Sequence, residues 1–148
     1  PSFSYDNSGM LVNNALYCYL SDDKFLLSFL NSNVSWFLIS KYCTQLQNGF
    51  QFIYDYFKQI PIPTIDEESQ KPFIKLVDEI LEAKQKIKDY KSLLDEAIKT
   101  NSFDREIALK KELENLENIC TTNEKTIDQM VYKLYDLTED EIKIVEGV

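Results

Sequence analysis

The chain contains no histidine, and only three of its 148 residues are glycine. Without imidazole, and without a cysteine pair at ligand spacing, the usual nitrogen and sulfur ligand sets of zinc are excluded. The few glycines do not form a phosphate-binding loop. The sequence therefore predicts no catalytic residue, no metal site and no cofactor within this chain.

Cysteine is also scarce, and its placement bears on the cellular compartment. Cys18, Cys43 and Cys120 are odd in number and far apart, and each lies in an apolar stretch. We interpret them as buried structural thiols in a reducing, cytoplasmic environment, because a disulfide framework needs paired cysteines.

Long hydrophobic runs are absent as well. The apolar stretches fall far short of the roughly 20 residues that span a bilayer, and no charged-then-apolar signal segment is present. We therefore expect no membrane association. The chain begins at Pro1 and opens directly on a strand-like stretch, so we expect it to be a fragment of a longer protein.

Positive charge is limited, since the formal net charge is −9. Residues 1–60 contain three lysines and four aspartates, whereas residues 61–148 contain 13 basic and 21 acidic side chains. A protein that binds nucleic acid without selectivity needs a basic surface. That class is excluded, and any DNA contact is expected from the first part of the chain.

The sequence pattern of residues 1–60 predicts three strands and one helix. The expected strands cover residues 3–6, 11–20 and 50–57. The expected helix covers residues 24–42, follows an oxygen-bearing cap signal and is apolar nearly all round. A turn at residues 7–9 and a polar loop at residues 45–49 connect these elements. Pro61 and Pro63 end the last strand, because proline cannot donate to a strand ladder.

From residue 64 onward the pattern is purely helical. Helices are expected at residues 66–100 and 103–137, and apolar residues recur in both at alternating spacings of three and four. These seam residues are Phe73, Leu76, Ile80, Ala83, Ile87, Tyr90, Leu94 and Ala97 in the first helix, and Leu109, Leu113, Leu116, Cys120, Ile127, Met130, Leu134 and Leu137 in the second, where Asn123 is the one polar residue of the seam. The short break at Asn101-Ser102 forces the two helices to be antiparallel neighbours.

Two capping boxes are expected in this helical part. Thr64 and Glu67 would begin the first long helix, and Thr138 and Glu141 would begin a short last helix that stops at Gly147. The predicted fold class is therefore α+β and helix-dominated, with a truncated mixed α/β domain followed by a long antiparallel helical hairpin of coiled-coil type.

Residues 41–58 hold the best candidates for contacts with a partner. Amide side chains make bidentate contacts with adenine, and threonine and lysine reach phosphates. The candidate DNA-binding residues are Lys41, Thr44, Gln45, Gln47, Asn48, Gln51 and Lys58. The alternative that the pattern leaves open is a polar surface loop with no partner.

Five segments, taken in order, resemble one family. Residues 25–32 (FLLSFLNS) resemble its LLGxLNS helix, residues 50–52 (FQF) its aromatic strand, and residues 60–63 (IPIP) its LPIP ending. Residues 76–81 (LVDEIL) resemble the start of its spacer helix, and residues 131–142 (VYKLYDLTEDEI) its VYxLYGLTEEEI terminus. The family is the TaqI-like C-terminal specificity domain of type IIG restriction-modification enzymes and related N6-adenine DNA methyltransferases.

The resemblance implies that residues 1–63 are the C-terminal part of a target-recognition domain and that residues 64–148 are a helical spacer. The implied partners are double-stranded DNA and an upstream methyltransferase core of the same polypeptide. That core would use S-adenosylmethionine to methylate the N6 atom of a flipped adenine, and a nuclease in the same protein would use magnesium. Where the family often has arginine, near residues 47 and 51, this chain has glutamine.

The function expected from these observations is a DNA sequence-specificity module that is not itself catalytic and is monomeric as a fragment. Two alternatives remain open. One is half of a type I restriction specificity subunit, and the other is a coiled-coil scaffold or dimerisation module that does not bind DNA.

Overall fold

A computed structural model describes residues 3–6, 21–47 and 49–147. Helices account for about 72% of them, and a two-stranded antiparallel sheet is present, which confirms a helix-dominated fold. In chain order the elements are α1 Lys24–Leu30, α2 Asn33–Tyr42, β1 Thr44–Leu46, β2 Gly49–Gln51, α3 Tyr54–Phe57, α4 Glu67–Lys99, α5 Phe103–Leu134 and α6 Glu139–Glu146. The turn expected at residues 7–9, the strand expected at residues 11–20 and Cys18 lie outside the described residues.

The single helix expected at residues 24–42 is wrong, because the chain forms two helices there. Asn31 ends α1: its backbone N–H donates to the carbonyl oxygen of Leu27 at 3.3 Å, and the backbone N–H of Ser32 donates to that of Phe29 at 3.0 Å. Ser32 then caps α2, since its side chain accepts a hydrogen bond from the backbone N–H of Ser35. Short polar side chains compete with the helix backbone in this way, so the polar interruption is a helix boundary.

The strand expected at residues 3–6 is also wrong, and the strand expected at residues 50–57 is confirmed only for residues 50 and 51, which belong to β2. Residues 3–6 have no regular secondary structure, and residues 54–57 form the short helix α3. Phe3, Phe52 and Phe57 in these stretches pack against one another instead of forming a ladder. The ring of Phe57 lies 5.5 Å from that of Phe52 and 6.1 Å from that of Phe3. An aromatic-rich run does not distinguish a strand from such a cluster.

The long antiparallel pair of α4 and α5 confirms the helical hairpin. Every predicted seam residue is buried or half-buried, and ion pairs across the pair link Lys84 to Glu124 at 3.2 Å and Lys91 to Glu117 at 3.9 Å. At 1.5 Å per residue, each helix is about 50 Å long. None of the helices that the structure describes is long and apolar enough to cross a bilayer.

The turn between α4 and α5 has a defined geometry. Ser102 donates from its backbone N–H to the carbonyl oxygen of Ala97 at 2.9 Å, and Asn101 donates to Ile98 at 3.1 Å. Asn101 has a φ of 52°, so the end of α4 is a Schellman motif with asparagine in the left-handed position. This motif reverses the chain within three residues and sets the antiparallel arrangement.

One of the two expected capping boxes is present. Thr138 and Glu141 form it at the start of α6. The box expected at Thr64 is wrong, because Asp66 caps α4 and accepts a hydrogen bond from the backbone N–H of Ser69 at 2.8 Å. That hydrogen bond lowers the pKa of Asp66. A short acidic side chain suits the positive end of the helix dipole.

The first helices pack on one end of the α4–α5 hairpin, where α4 begins and α5 ends. α1 packs on α4, and α2 packs on α5 and α6. The ring of Phe25 lies 5.1 Å from that of Phe73, and the ring of Phe29 stacks on that of Tyr135 at 6.2 Å. Val131 and Tyr132, with 0% and 2% exposure, extend the seam of α5 into this shared core.

We predict that Leu113→Asp unfolds the hairpin and that Ile107→Asp does not. Both residues lie on α5, but Leu113 is 7% exposed and Ile107 is 67% exposed. An unpaired carboxylate in the seam costs at least about 3 kcal/mol, whereas the exposed aspartate stays in water. Helical circular dichroism during urea unfolding measures the difference. A native-like transition for Leu113→Asp would contradict the two-helix packing.

Candidate nucleic-acid interface

The strands β1 and β2 pair as a β-hairpin where the sequence predicts a polar loop at residues 45–49. Thr44 pairs with Gln51, Gln45 with Phe50, and Leu46 with Gly49. Gly49 has a φ of 150°, a conformation that side-chain-bearing residues rarely adopt. The strands are three residues each, which is too short for an alternating pattern to be visible in the sequence.

The hairpin has two faces that carry different side chains. Successive side chains in a strand point to opposite sides, so Thr44 and Leu46 share one face, and Gln51 joins them through its pairing with Thr44. We call this the outer face. The opposite face carries Phe50, whose ring lies 6.1 Å from the ring of Trp36 on α2. The outer face therefore points away from the helix that supports the hairpin.

The structure brings together some of the predicted contact residues and separates others. Thr44 and Gln51 are exposed and lie side by side on the outer face, whereas exposed Gln45 lies on the face of Phe50. Gln47 is exposed in the turn between the strands. Asn48 lies outside the described residues. The outer face, the opposite face and the turn thus each present one glutamine, namely Gln51, Gln45 and Gln47 respectively.

The two candidate lysines flank the hairpin along the chain. Lys41 lies in the last turn of α2, with its ammonium nitrogen 4.9 Å from the ring centroid of Phe37. Lys58 follows α3, forms an ion pair with Asp55 at 2.6 Å and lies 5.5 Å from the ring centroid of Tyr54. Exposed ion pairs contribute only about 0–1 kcal/mol, so a phosphate can replace Asp55 as the partner of Lys58.

A polar network holds α2, which carries the hairpin, against the rest of the protein. Asn33 begins α2 and donates its backbone N–H to one oxygen of Asp128 at 2.7 Å and its side-chain amide to the other at 3.1 Å. The same amide donates to the Tyr132 hydroxyl at 3.0 Å. Tyr132 donates in turn to Glu146 on α6 at 2.9 Å. The network therefore joins α2, α5 and α6.

Burial determines the protonation of this network. It raises the pKa of Tyr132 to about 12, so the hydroxyl remains a donor at neutral pH. Burial also raises the pKa of Asp128 above its usual value. The sequence analysis missed this cluster, because Asn33 and Asp128 lie 95 residues apart. In the sequence, the one sign that Asp128 is half-buried is its position next to the seam residue Ile127.

Two of the three cysteines lie within the described residues. Cys43 and Cys120 are buried free thiols, as the sequence predicts for structural cysteines, and burial raises the pKa of both. In the described ranges, no group of three or more cysteine, aspartate or glutamate side chains is placed to hold a metal ion. The β-hairpin, on which the predicted contact residues Thr44, Gln45 and Gln51 are exposed, is the candidate functional surface.

We predict that Asp128→Asn changes the pH dependence of stability. Burial makes the folded protein bind a proton at Asp128 more tightly than the unfolded chain, whose pKa is near 3.8. The wild type therefore loses stability relative to the asparagine variant as pH rises from about 4 through the higher folded-state pKa. Urea unfolding of both proteins across this range gives the difference, which isolates Asp128 because all other titrating groups are shared. A pH-independent difference would contradict the assignment.

The chain was compared with protein families, with curated proteins and with solved structures. None of the three comparisons finds a match.

Proposed function

We propose that this chain is a DNA sequence-specificity module of a restriction-modification enzyme. In this proposal, residues 1–63 complete a target-recognition domain and residues 64–148 are its helical spacer. The module directs an upstream adenine-N6 methyltransferase, and an endonuclease in the same enzyme, to one target site. The catalytic chemistry, with S-adenosylmethionine and magnesium, belongs to those other parts.

The observation that carries this proposal is the exposed two-stranded hairpin with polar side chains on its outer face. The major groove of B-DNA is about 12 Å wide and admits a two-stranded β-ribbon. Thr44 and Gln51 lie side by side on the ribbon and are exposed. Support from one face only, through Phe50 and Trp36, leaves the outer face free to enter a groove.

The proposed residues divide into base readers and backbone contacts. The amide of Gln51 can accept from the N6 amino group of adenine and donate to N7, and Gln45 and Gln47 offer the same chemistry at the other face and at the turn. Lys41 and Lys58 would contact phosphates beside the hairpin. Phosphate contacts from only these two lysines would release few counterions from the DNA. This module should therefore add little to the salt dependence of binding.

The α4–α5 pair contributes rigidity and keeps DNA at the hairpin. Most of the excess of acidic side chains lies in residues 61–148, and this charge repels the phosphate backbone. The DNA is thereby confined to the side of the molecule formed by residues 41–58. Placement of the adenine for methylation requires the upstream core, because the target base has to leave the duplex.

Two exposed apolar side chains support a second candidate function. They lie at the end of the α4–α5 pair that is opposite to the shared core. Phe103 and Ile107 are 70% and 67% exposed, and their spacing of four places them on one side of α5. A scaffold that dimerises through these side chains would not need to bind DNA. A half of a type I specificity subunit is the third reading, and it requires a second copy of the recognition domain and a separate methyltransferase subunit.

We predict that replacing Gln47 and Gln51 by alanine relaxes or abolishes target choice. Each good bidentate contact with adenine contributes about 1–3 kcal/mol of discrimination against the wrong base. The variants are made in the proposed enzyme that includes the methyltransferase core, which we call the intact protein. Modified-base sequencing of DNA from cells that express it measures adenine methylation at every motif. The matched control is Gln129→Ala, an exposed glutamine on α5, which should leave the motif unchanged. An unaltered motif in the double variant would contradict the assignment of these residues.

We also predict that this 148-residue chain sediments as a monomer, because its seam is filled by its own two helices. Sedimentation velocity over a wide concentration range provides the measurement. A stable dimer that Phe103→Ser and Ile107→Ser convert to monomer would place the scaffold function first.

A further inference from the structure

The outer face of the β-hairpin carries one exposed apolar side chain beside its polar ones. Leu46 is 52% exposed at the end of β1. Its partner across the strands is Gly49, which has no side chain, so no neighbour on β2 covers Leu46. An aliphatic group therefore projects from the same face as Thr44 and Gln51.

The spacing of these residues suits the spacing of base pairs. Residues two apart in a strand are about 6.8 Å apart, which is about twice the 3.4 Å rise per base along one DNA strand. A ribbon that lies along the major groove would thus place Leu46 about two base pairs from the base read by Gln51. Both side chains would face the same groove floor.

The major groove contains one apolar group, the 5-methyl group of thymine. A leucine side chain can remove that methyl group from water, whereas a glutamine amide or a threonine hydroxyl group gains nothing from contact with it. We propose that Leu46 is a specificity-determining residue that contacts a thymine methyl about two base pairs from the adenine read by Gln51. This inference rests on the proposed DNA-specificity function and deepens it by naming the second base.

Deoxyuridine tests this contact, because it differs from thymidine only by the missing methyl group. After modified-base sequencing has given the motif, each thymine of a duplex that carries it is replaced in turn, and fluorescence anisotropy measures binding by the intact protein. We expect the wild type to lose about three- to tenfold in affinity at one position, the effect of losing one buried methyl group. Leu46→Ala should bind the thymine and deoxyuridine duplexes equally.

Two control variants separate the contact from general effects. Leu46→Met conserves side-chain volume and should keep the preference for thymine. Ile62→Ala removes an apolar side chain of similar exposure, 44%, outside the hairpin and should also keep it. Because Leu46 is half exposed, its replacement should not affect folding, and circular dichroism checks this.

The possible results distinguish this inference from the function on which it rests. If the intact protein binds no duplex with sequence preference, the proposed function and this inference both fail. If site-specific binding is present but the wild type and Leu46→Ala lose the same affinity on every deoxyuridine duplex, only the role of Leu46 is overturned. A penalty that disappears in Leu46→Ala and persists in both controls supports it.

Discussion

The antiparallel packing of α4 against α5 is the constraint on which the rest of the structure depends. Two helices of about 50 Å bury one continuous apolar seam, and the left-handed turn at Asn101 sets their direction. The end of this pair at which α4 begins provides the surface on which α1 and α2 pack, and α6 packs in turn on α2. Without it, the short elements of the first part would have too little apolar contact to remain ordered.

Two kinds of interaction position the β-hairpin, namely apolar packing and hydrogen bonds. Apolar contacts place α1 and α2 on the helical pair, but such contacts are non-directional and leave the orientation of α2 open. The hydrogen bonds of Asn33 with Asp128 and Tyr132 are directional and determine where α2 begins. Because only Cys43 separates α2 from β1, the direction of the β-hairpin depends on this partly buried network. Specificity modules need such rigidity, since a shift of about 1 Å breaks a bidentate contact.

The sequence predicts the repetitive part of this fold well and the irregular part poorly. A seam repeated over more than 60 residues accumulates a strong signal, so α4 and α5 were predictable to within a few residues, although Asp66 rather than Thr64 caps α4. Three-residue strands and a four-residue helix contain too few positions for any period. Among the candidate site residues, composition and order indicated a segment that proves to be exposed, but only the register shows that Thr44 lies beside Gln51 and that Gln45 does not.

The central claim is that the outer face of the β-hairpin contacts DNA bases and that the helical pair is a frame. Hydrogen exchange of the intact protein, measured with a duplex that carries the methylated motif and with a scrambled duplex of equal length, tests it most directly. The account predicts slower amide exchange in residues 43–52 with the specific duplex only, and unchanged exchange in residues 85–115. Unchanged exchange in residues 43–52 together with protection of the helical pair would contradict it.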